Sequence, residues 1–402
     1  MIDDAAFKDW VARARDVDLV SEVERRGIKL GKGHERAGPC PIERQGRDRF
    51  AVNVRKKLWS CRGCGTGGDV IKLVMMASGI DFLAACELLA GPPPHGRALT
   101  PEEKAEIAER EAKRDKEAAD AQAEKDRQAD AYREKERKRL YEIWCAGRAL
   151  AGTPAAYYLE ARGIPQVPAT AALRFHPQMR YYVPESNGWK MVHTGPALNA
   201  AIVGPDGRFR GLHTTYLTRE NGFWRKFSPG LDPDGEPWPE KKVRGTKKGN
   251  HIVLRSVPEP RRLFVGEGIE TGLSVWYAMA RARRLGDGDM FLSSVDLGNL
   301  AGRATETVRH PTATTTDAKG RTRAVKVPGP VPDLNSQAFV VPAGIEELFL
   351  LGDGDSEAYM TQQALIRAGA RHGQLCPSLK AIRCAMADAD EDFNDMLMGP
   401  ER

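Results

Sequence analysis

Long apolar runs are missing from this chain of 402 residues: no stretch approaches membrane-spanning length, which excludes a bundle of membrane helices. Cysteine is scarce, with seven residues and one close pair, Cys61 and Cys64. An odd count spread in this way argues against a disulfide framework and for a reducing compartment and a metal site. The opening residues MIDDAAFKDW are acidic and amphipathic, so no secretory or transit signal is expected there. A P-loop is also lacking, because Gly31-Lys32 runs into Gly33 and not into the Ser or Thr that such a loop presents. No internal repeat stands out. These absences lead to the expectation of a cytoplasmic protein without a membrane partner.

What is present is unevenly charged. The net charge is only +6, yet residues 44–62 carry seven bases against one acid, and residues 208–262 carry thirteen against six. From 342 to 402 the balance reverses, with eleven acids against five bases. Two basic stretches and an acidic end suggest a polyanion on one surface and metal cations on another.

Along the chain, residues 1–27 read as short helices, with Phe7, Trp10 and Val11 and then Val17, Val20 and Val23 at helical spacing. A Gly-rich stretch follows. Phe50, Val52 and Val54 alternate and KKLWS comes next, which predicts a β-hairpin over 48–60. From Asp69 the apolar run fits two short helices broken near Gly79. Residues 100–142, rich in Ala, Glu, Lys, Arg and Asp and free of glycine, predict a long solvated helix without coiled-coil heptads. Beyond it, a region to about 260 mixes short strands with turns. After that, RLFVGEG, MFLSSVD, ELFLLGD and AIRCAMA alternate with helical segments, the pattern of an α/β sheet. A Thr-, Pro- and Gly-rich insertion near 303–340 interrupts that alternation and is expected to be a surface excursion.

Cys61-Arg62-Gly63-Cys64-Gly65 is a metal knuckle: two thiolates two residues apart can grip one tetrahedral ion, and the glycines permit the tight turn. Cys40 lies across the hairpin and can supply a third thiolate. For the fourth corner there are two candidates, Glu43 by its spacing from Cys40 and His34 by its ligand chemistry. The run GPCP…DRFAVNVRKKLWSCRGCGTGGDVIKLV resembles the zinc ribbon of bacterial and phage primases, in which a CPxH or CPxC half precedes a CxGCG half. Glu43 stands where that family has His or Cys. The resemblance implies that the ribbon reads single-stranded template. Arg49, Arg55, Lys56 and Lys57 would meet the backbone, and Trp59 offers either a stacking face or hairpin core.

Further on, Glu267 in Val265-Gly266-Glu267-Gly268 stands at the end of an apolar strand, and Asp353 and Asp355 in Gly352-Asp353-Gly354-Asp355 stand at the end of another. Carboxylates gathered at neighbouring strand ends repel one another unless divalent cations neutralise them. This constellation resembles the Toprim domain of bacterial-type primases, topoisomerases and some nucleases. Asp392-Phe393-Asn394-Asp395 is similar to the closing acidic motif of phage and plasmid primase-like members. The resemblance implies Mg²⁺ or Mn²⁺ held by Glu267, Asp353, Asp355 and Asp395, beside a structural Zn²⁺ in the ribbon.

The basic region before it, with Arg210, Lys226, Lys241, Lys242 and Lys248, resembles the subdomain preceding Toprim in such proteins and offers charge for a nucleic acid or a triphosphate. The expected fold class is α+β and multidomain. Residues 1–95 form a zinc-ribbon domain, 96–142 a charged helical linker, 143–260 a basic subdomain and 261–402 an α/β Toprim domain. The expected function is DNA-dependent primer synthesis on single-stranded template from nucleoside triphosphates, by a monomer working with a separate replicative helicase. A Toprim nuclease and a non-catalytic DNA-binding replication factor are the alternatives.

Overall fold

The computed structural model describes residues 4–43, 46–94, 101–185, 188–316, 321–354 and 357–399. They divide into two compact units, one running to Arg127 and one from Gln128 onward.

The first unit opens with helices α1 (Asp4–Asp16) and α2 (Leu19–Arg25). Strands β1 (Glu35–Gly38), β2 (Phe50–Asn53), β3 (Leu58–Cys61) and β4 (Thr66–Gly68) then form an antiparallel sheet in chain order. The predicted hairpin is β2–β3, with Phe50 opposite Cys61 and Val52 opposite Trp59. The alternation puts all four of these side chains in the core. Lys57 takes φ +52° to close the turn. Helices α3 (Val70–Ser78) and α4 (Phe82–Ala90) follow, capped by Asp69 and Asp81, with Gly79 at φ +66° between them. Those signals bend the apolar run by 113°. Trp10 closes the unit by donating its indole N–H to the Gly91 carbonyl at 2.9 Å. Among the described residues no single helix is long and apolar enough to cross a membrane.

Helix α5 (Pro101–Ala146) carries i,i+3 ion pairs, Arg127–Glu124, Arg133–Asp130, Arg137–Glu134 and Arg139–Glu136. Such pairs support a helix with little buried surface. Leu140, near its end, is fully buried in the second unit.

In the second unit α6 (Pro154–Ala161) precedes strands β5 (Leu173–Glu185), β6 (Gly188–Val203), β7 (Phe209–Glu220), β8 (Phe223–Lys226), β9 (Lys241–Gly245) and β10 (His251–Arg255). Three of these are far longer than the short strands expected here. Register shifts at His176/Met179 and Tyr181/Tyr182 explain why: each breaks the period-two pattern within one continuous strand. The chain continues through β11 (Arg262–Gly266), α7 (Ile269–Arg281), β12 (Asp289–Ser293) and α8 (Leu297–Ala301). The insertion follows as a hairpin, β13 (Thr307–Thr316) and β14 (Thr322–Pro328). Last come β15 (Glu347–Gly352), α9 (Ala358–Leu375), β16 (Ala381–Met386) and α10 (Phe393–Met398).

The main sheet has ten strands in the order β16-β15-β11-β12-β10-β6-β7-β8, with β5 on β6 and β9 on β7. β16, β15, β11 and β12 run parallel, and β10 joins them antiparallel to the rest. Leu263, Phe264 and Val265 of β11 are all buried, because helices cover both faces there. From β11 the chain moves to β12 on one side, whereas from β15 it moves to β16 on the other. The carboxyl ends of β11 and β15 therefore flank a topological switch point, where open α/β sheets bind ligands.

Candidate functional site

In the first unit, the Sγ atoms of Cys40, Cys61 and Cys64 lie within 4.8 Å of one another. β3 delivers Cys61, and a turn in which Gly65 takes φ +63° delivers Cys64. The Glu43 N–H donates to Cys40 Sγ at 3.4 Å, so the backbone at this position supports the sulfur. Burial, followed by the two neighbouring sulfurs, pushes the Cys64 thiol up to about 12. Three thiolates cannot share this space without a cation, and their chemistry and spacing fit Zn²⁺. The two candidates for the fourth corner are otherwise engaged: the Glu43 carboxylate accepts from Arg49 at 3.0 Å, and His34 Nε2 is 2.8 Å from Arg55.

The basic residues of the hairpin lie largely at the surface, with Lys57 paired to Asp16 at 3.2 Å. Trp59 corrects one expectation. It is 3% exposed, stacked on Phe50 and bonded through its indole N–H to the Asp69 carbonyl, so it is hairpin core and offers no face to a base.

In the second unit, Glu267 follows β11 and Asp353 follows β15. Val265 pairs with Leu350, so both acids leave the sheet at its carboxyl edge, on either side of the switch point. Thr271, in the first turn of α7, donates to the Asp353 carboxylate, with its oxygens at 3.0 and 3.1 Å. The Glu267 carbonyl accepts from Ser293 Oγ at 2.7 Å. Gly354 seats the next turn: its N–H donates to the Glu391 carbonyl at 2.8 Å, and a Cβ there would collide with the Asp388 carbonyl. The loop after β16, bearing Asp388, Asp390 and Glu391, is thereby laced to the loop after β15. Among the described residues only the ribbon cysteines gather three metal-type ligand atoms within 4.8 Å of one another; the acids here stand on neighbouring loops of one sheet edge, and carboxylate oxygens are the ligand type that hard divalent cations take. Asp355 lies outside the described residues. Asp395 sits in a capping box at the start of α10, accepting from the Asp392 N–H at 3.3 Å.

A neighbouring cluster escaped the sequence reading. Glu270, three residues beyond Glu267, is 7% exposed. It accepts from Tyr158 Oη at 2.5 Å and from Lys241 Nζ at 3.0 Å, with Lys226 Nζ at 3.6 Å. Burial alone would raise its pKa, but Lys241, Lys226 and the two hydrogen bonds outweigh it and hold the carboxyl well below the usual range. Lys241 is raised, chiefly by Glu270, and it also feels Glu267. Lys226 is lowered, because burial outweighs its acid partner. Burial, then Lys241, lowers His213 beside them to about 4. The two ammonium groups share Glu270, with Glu240 acting on both, next to a cavity of about 730 Å³ lined by Arg162, Trp224, Arg225, Lys226 and Glu240. The signal that could have exposed Glu270 is an acid on the apolar face of a helix one turn beyond a strand-end acid.

The other basic candidates are dispersed. Lys242 points away from Lys241 along β9, donating to the Tyr182 carbonyl at 2.5 Å and lying 4.0 Å over Tyr181. Arg210 pairs with Asp206 at 2.7 Å, and Lys248 lines a separate cavity of about 790 Å³.

Residues 8–95 match the CHC2 zinc finger family, and residues 134–254 match a domain of unknown function, DUF7146. The chain is 39% identical over 79 residues to the DNA primase of Treponema pallidum and 29% identical over 84 residues to that of Clostridium acetobutylicum. These alignments cover 20% and 21% of this chain but only 13% and 14% of the relatives. Among solved structures, the Aquifex aeolicus primase (zinc-binding and RNA polymerase domains) aligns over 97% of this chain and 82% of its own, with 15% identity and a TM-score of 0.33. A DnaG primase catalytic domain bound to single-stranded DNA aligns over 68% of this chain and 79% of its own, with 14% identity and a TM-score of 0.37. The first unit thus carries a DnaG-type zinc ribbon, with Cys40, Cys61 and Cys64 as its thiolates.

Proposed function

We propose that this chain, which carries a DnaG-type primase zinc ribbon, is a primase-like nucleotidyltransferase that makes short primers on single-stranded DNA. The observation that carries the reading is a juxtaposition in the second unit: Glu267 and Asp353 at a switch point, beside the lysine pair of the buried Glu270–Lys226–Lys241 cluster. Acids that collect divalent cations and ammonium groups that attract phosphates are the two halves of a triphosphate site. On this reading residues 261–402 are a Toprim domain, 143–260 its basic subdomain, 96–142 a helical linker and 1–95 the template-reading module.

Glu267, Asp353 and Asp355 would hold Mg²⁺ or Mn²⁺, which when bound supplies charge neutralisation for attack of a 3′-hydroxyl on an α-phosphate. The chain's own groups do the positioning. Thr271 fixes the Asp353 carboxylate, Gly354 admits the tight turn, and Lys226 and Lys241 present a preorganised positive field to phosphate oxygens. Asp395 supports this edge by holding α10 in place. Template DNA, nucleoside triphosphates and a separate helicase are the expected partners of a monomer.

The test is template-directed incorporation of labelled ribonucleotides by the full chain with Mg²⁺ or Mn²⁺. Short products that vanish in Glu267→Gln support the reading. Divalent-dependent cutting without triphosphates would replace it with a nuclease, and DNA binding without either reaction with a non-catalytic factor.

A further inference from the structure

The insertion between α8 and β15 has no part in the site described above, yet it is built as a tool. Among the described residues β13 and β14 pair only with each other, forming a ribbon apart from the main sheet. Its root is fixed by buried groups of α9. The Arg367 guanidinium, 5% exposed, donates to the carbonyls of Gly302, Pro328 and Gly329. His310 sits in the irregularity between Arg309 and Thr314, where its Nδ1 accepts from the Ala313 N–H at 2.7 Å. Its Nε2 lies 2.7 Å from Glu357, the residue that caps the N-terminus of α9. The ribbon is therefore tied to the start of the helix that follows Asp353.

The surface chemistry of the ribbon points to its ligand. Arg309 lies directly opposite Lys326, and both are exposed. Like charges in a cross-strand pair repel, so this arrangement is costly until an anion lies between them. Arg323 stands farther along β14, opposite Thr315. Among the described residues none of these three cations has an acid partner. β13 and β14 contain no Asp, Glu, Phe, Tyr or Trp, whereas Thr residues supply hydroxyl donors between the cations. Cations and hydroxyls without aromatic anchors suit phosphate oxygens rather than base stacking or a protein hot spot. Near the root, Lys248, Arg303, Thr305 and Thr307 line the 790 Å³ cavity and extend the polar surface.

We infer that the β13–β14 ribbon is an arm that grips the sugar–phosphate backbone of the nucleic acid handled by the second unit. The identity of the polyanion rests on the function proposed above; the grip itself rests on the ribbon. The test uses the full chain as Arg309→Thr/Arg323→Thr/Lys326→Thr, which keeps β-propensity and leaves the Arg367 and His310 anchors intact. Binding of fluorescein-labelled oligo(dT) is followed by anisotropy across a KCl series. Each lost backbone contact should remove about 0.7 from the slope of log K against log salt, so the triple variant should flatten it by about 2 and weaken binding roughly tenfold. The control removes three exposed cations at the end of α7, Arg281, Arg283 and Arg284, and should leave the slope nearly unchanged. A wild-type slope in the ribbon variant, or equal losses in both triples, overturns the arm. The two proposals fail separately. A chain that binds through the ribbon yet incorporates no ribonucleotide loses the synthesis reading alone. One that makes primers while the ribbon variant binds like wild type loses the arm alone.

Discussion

Glu270→Gln is the sharpest probe of the buried lysine cluster. The substitution keeps the shape of the side chain and an acceptor for Tyr158, but it removes the negative charge that pairs with Lys226 and Lys241 at 3.6 and 3.0 Å, leaving Glu240 as the acid acting on both. Removing one partner of a buried ion pair costs about 3–5 kcal/mol, because the remaining charge loses its compensation. The Lys241 side chain is 37% exposed, so solvent screens part of the loss and the lower end, about 3 kcal/mol, is expected. Urea unfolding of the full chain, followed through tryptophan fluorescence, reads this as a fall in the midpoint of the second unit at unchanged slope. Lys241→Met should cost less in the Gln background than in wild type, since the interaction it removes is already gone. A Gln variant within 1 kcal/mol of wild type, with additive double-mutant energies, would refute the reasoning.

The remaining predictions concern chemistry, metal and acid. Asp353→Asn retains an acceptor for Thr271 and should keep its unfolding midpoint while losing primer synthesis by at least a hundredfold; a near-wild-type rate would remove Asp353 from the reaction. Purified protein should contain one zinc per chain by metal analysis, and Glu43→Ala should lower its retention under chelator more than His34→Ala does. The reverse order would assign the fourth corner to His34. Burial is the largest cause lowering His213, His251 and His372 to about 4, so each stays neutral in the fold where the unfolded chain binds a proton. Stability they support is complete above about pH 6.5 and is lost as pH falls towards 4, by at most about 3 kcal/mol each. A thermal midpoint that is flat across that window would contradict it.

The hairpin over 48–60 and the helix pair after Asp69 were legible because each is specified locally, by strict alternation in one case and by caps and a left-handed glycine in the other. Strand ends bearing Glu267 and Asp353 were legible for the same reason, as an apolar run that stops at an acid. Glu270 was not. Its meaning comes from Tyr158, Lys226 and Lys241, which approach it across 112, 44 and 29 residues of sequence. Lys241 and Lys242 look alike as neighbours in the sequence, and only the pleat of β9 separates a lysine facing the acids from one turned onto Tyr181. The long strands β5 to β7 were read as fragments because their bulges erase the period that announces a strand. For Trp59 the sequence left core and stacking face equally open, and burial decided.

Short as it is, β10 has an outsized role in how the second unit comes together. It meets β6 through His251–Val203 and Ile252–Ile202, and it meets β12 through Ile252–Ser293 and its neighbours. Through these pairings the antiparallel half and the parallel half share one hydrogen-bonded sheet. Neither half can complete its edge until β10 is in place, and placing it requires partners on both sides. Residues 128–402 should therefore melt in a single cooperative transition, and a proline at Ile252 should unfasten both halves at once. The spacing between Lys241 on β9 and the acid that follows β11 is thereby carried through one continuous hydrogen-bonded sheet.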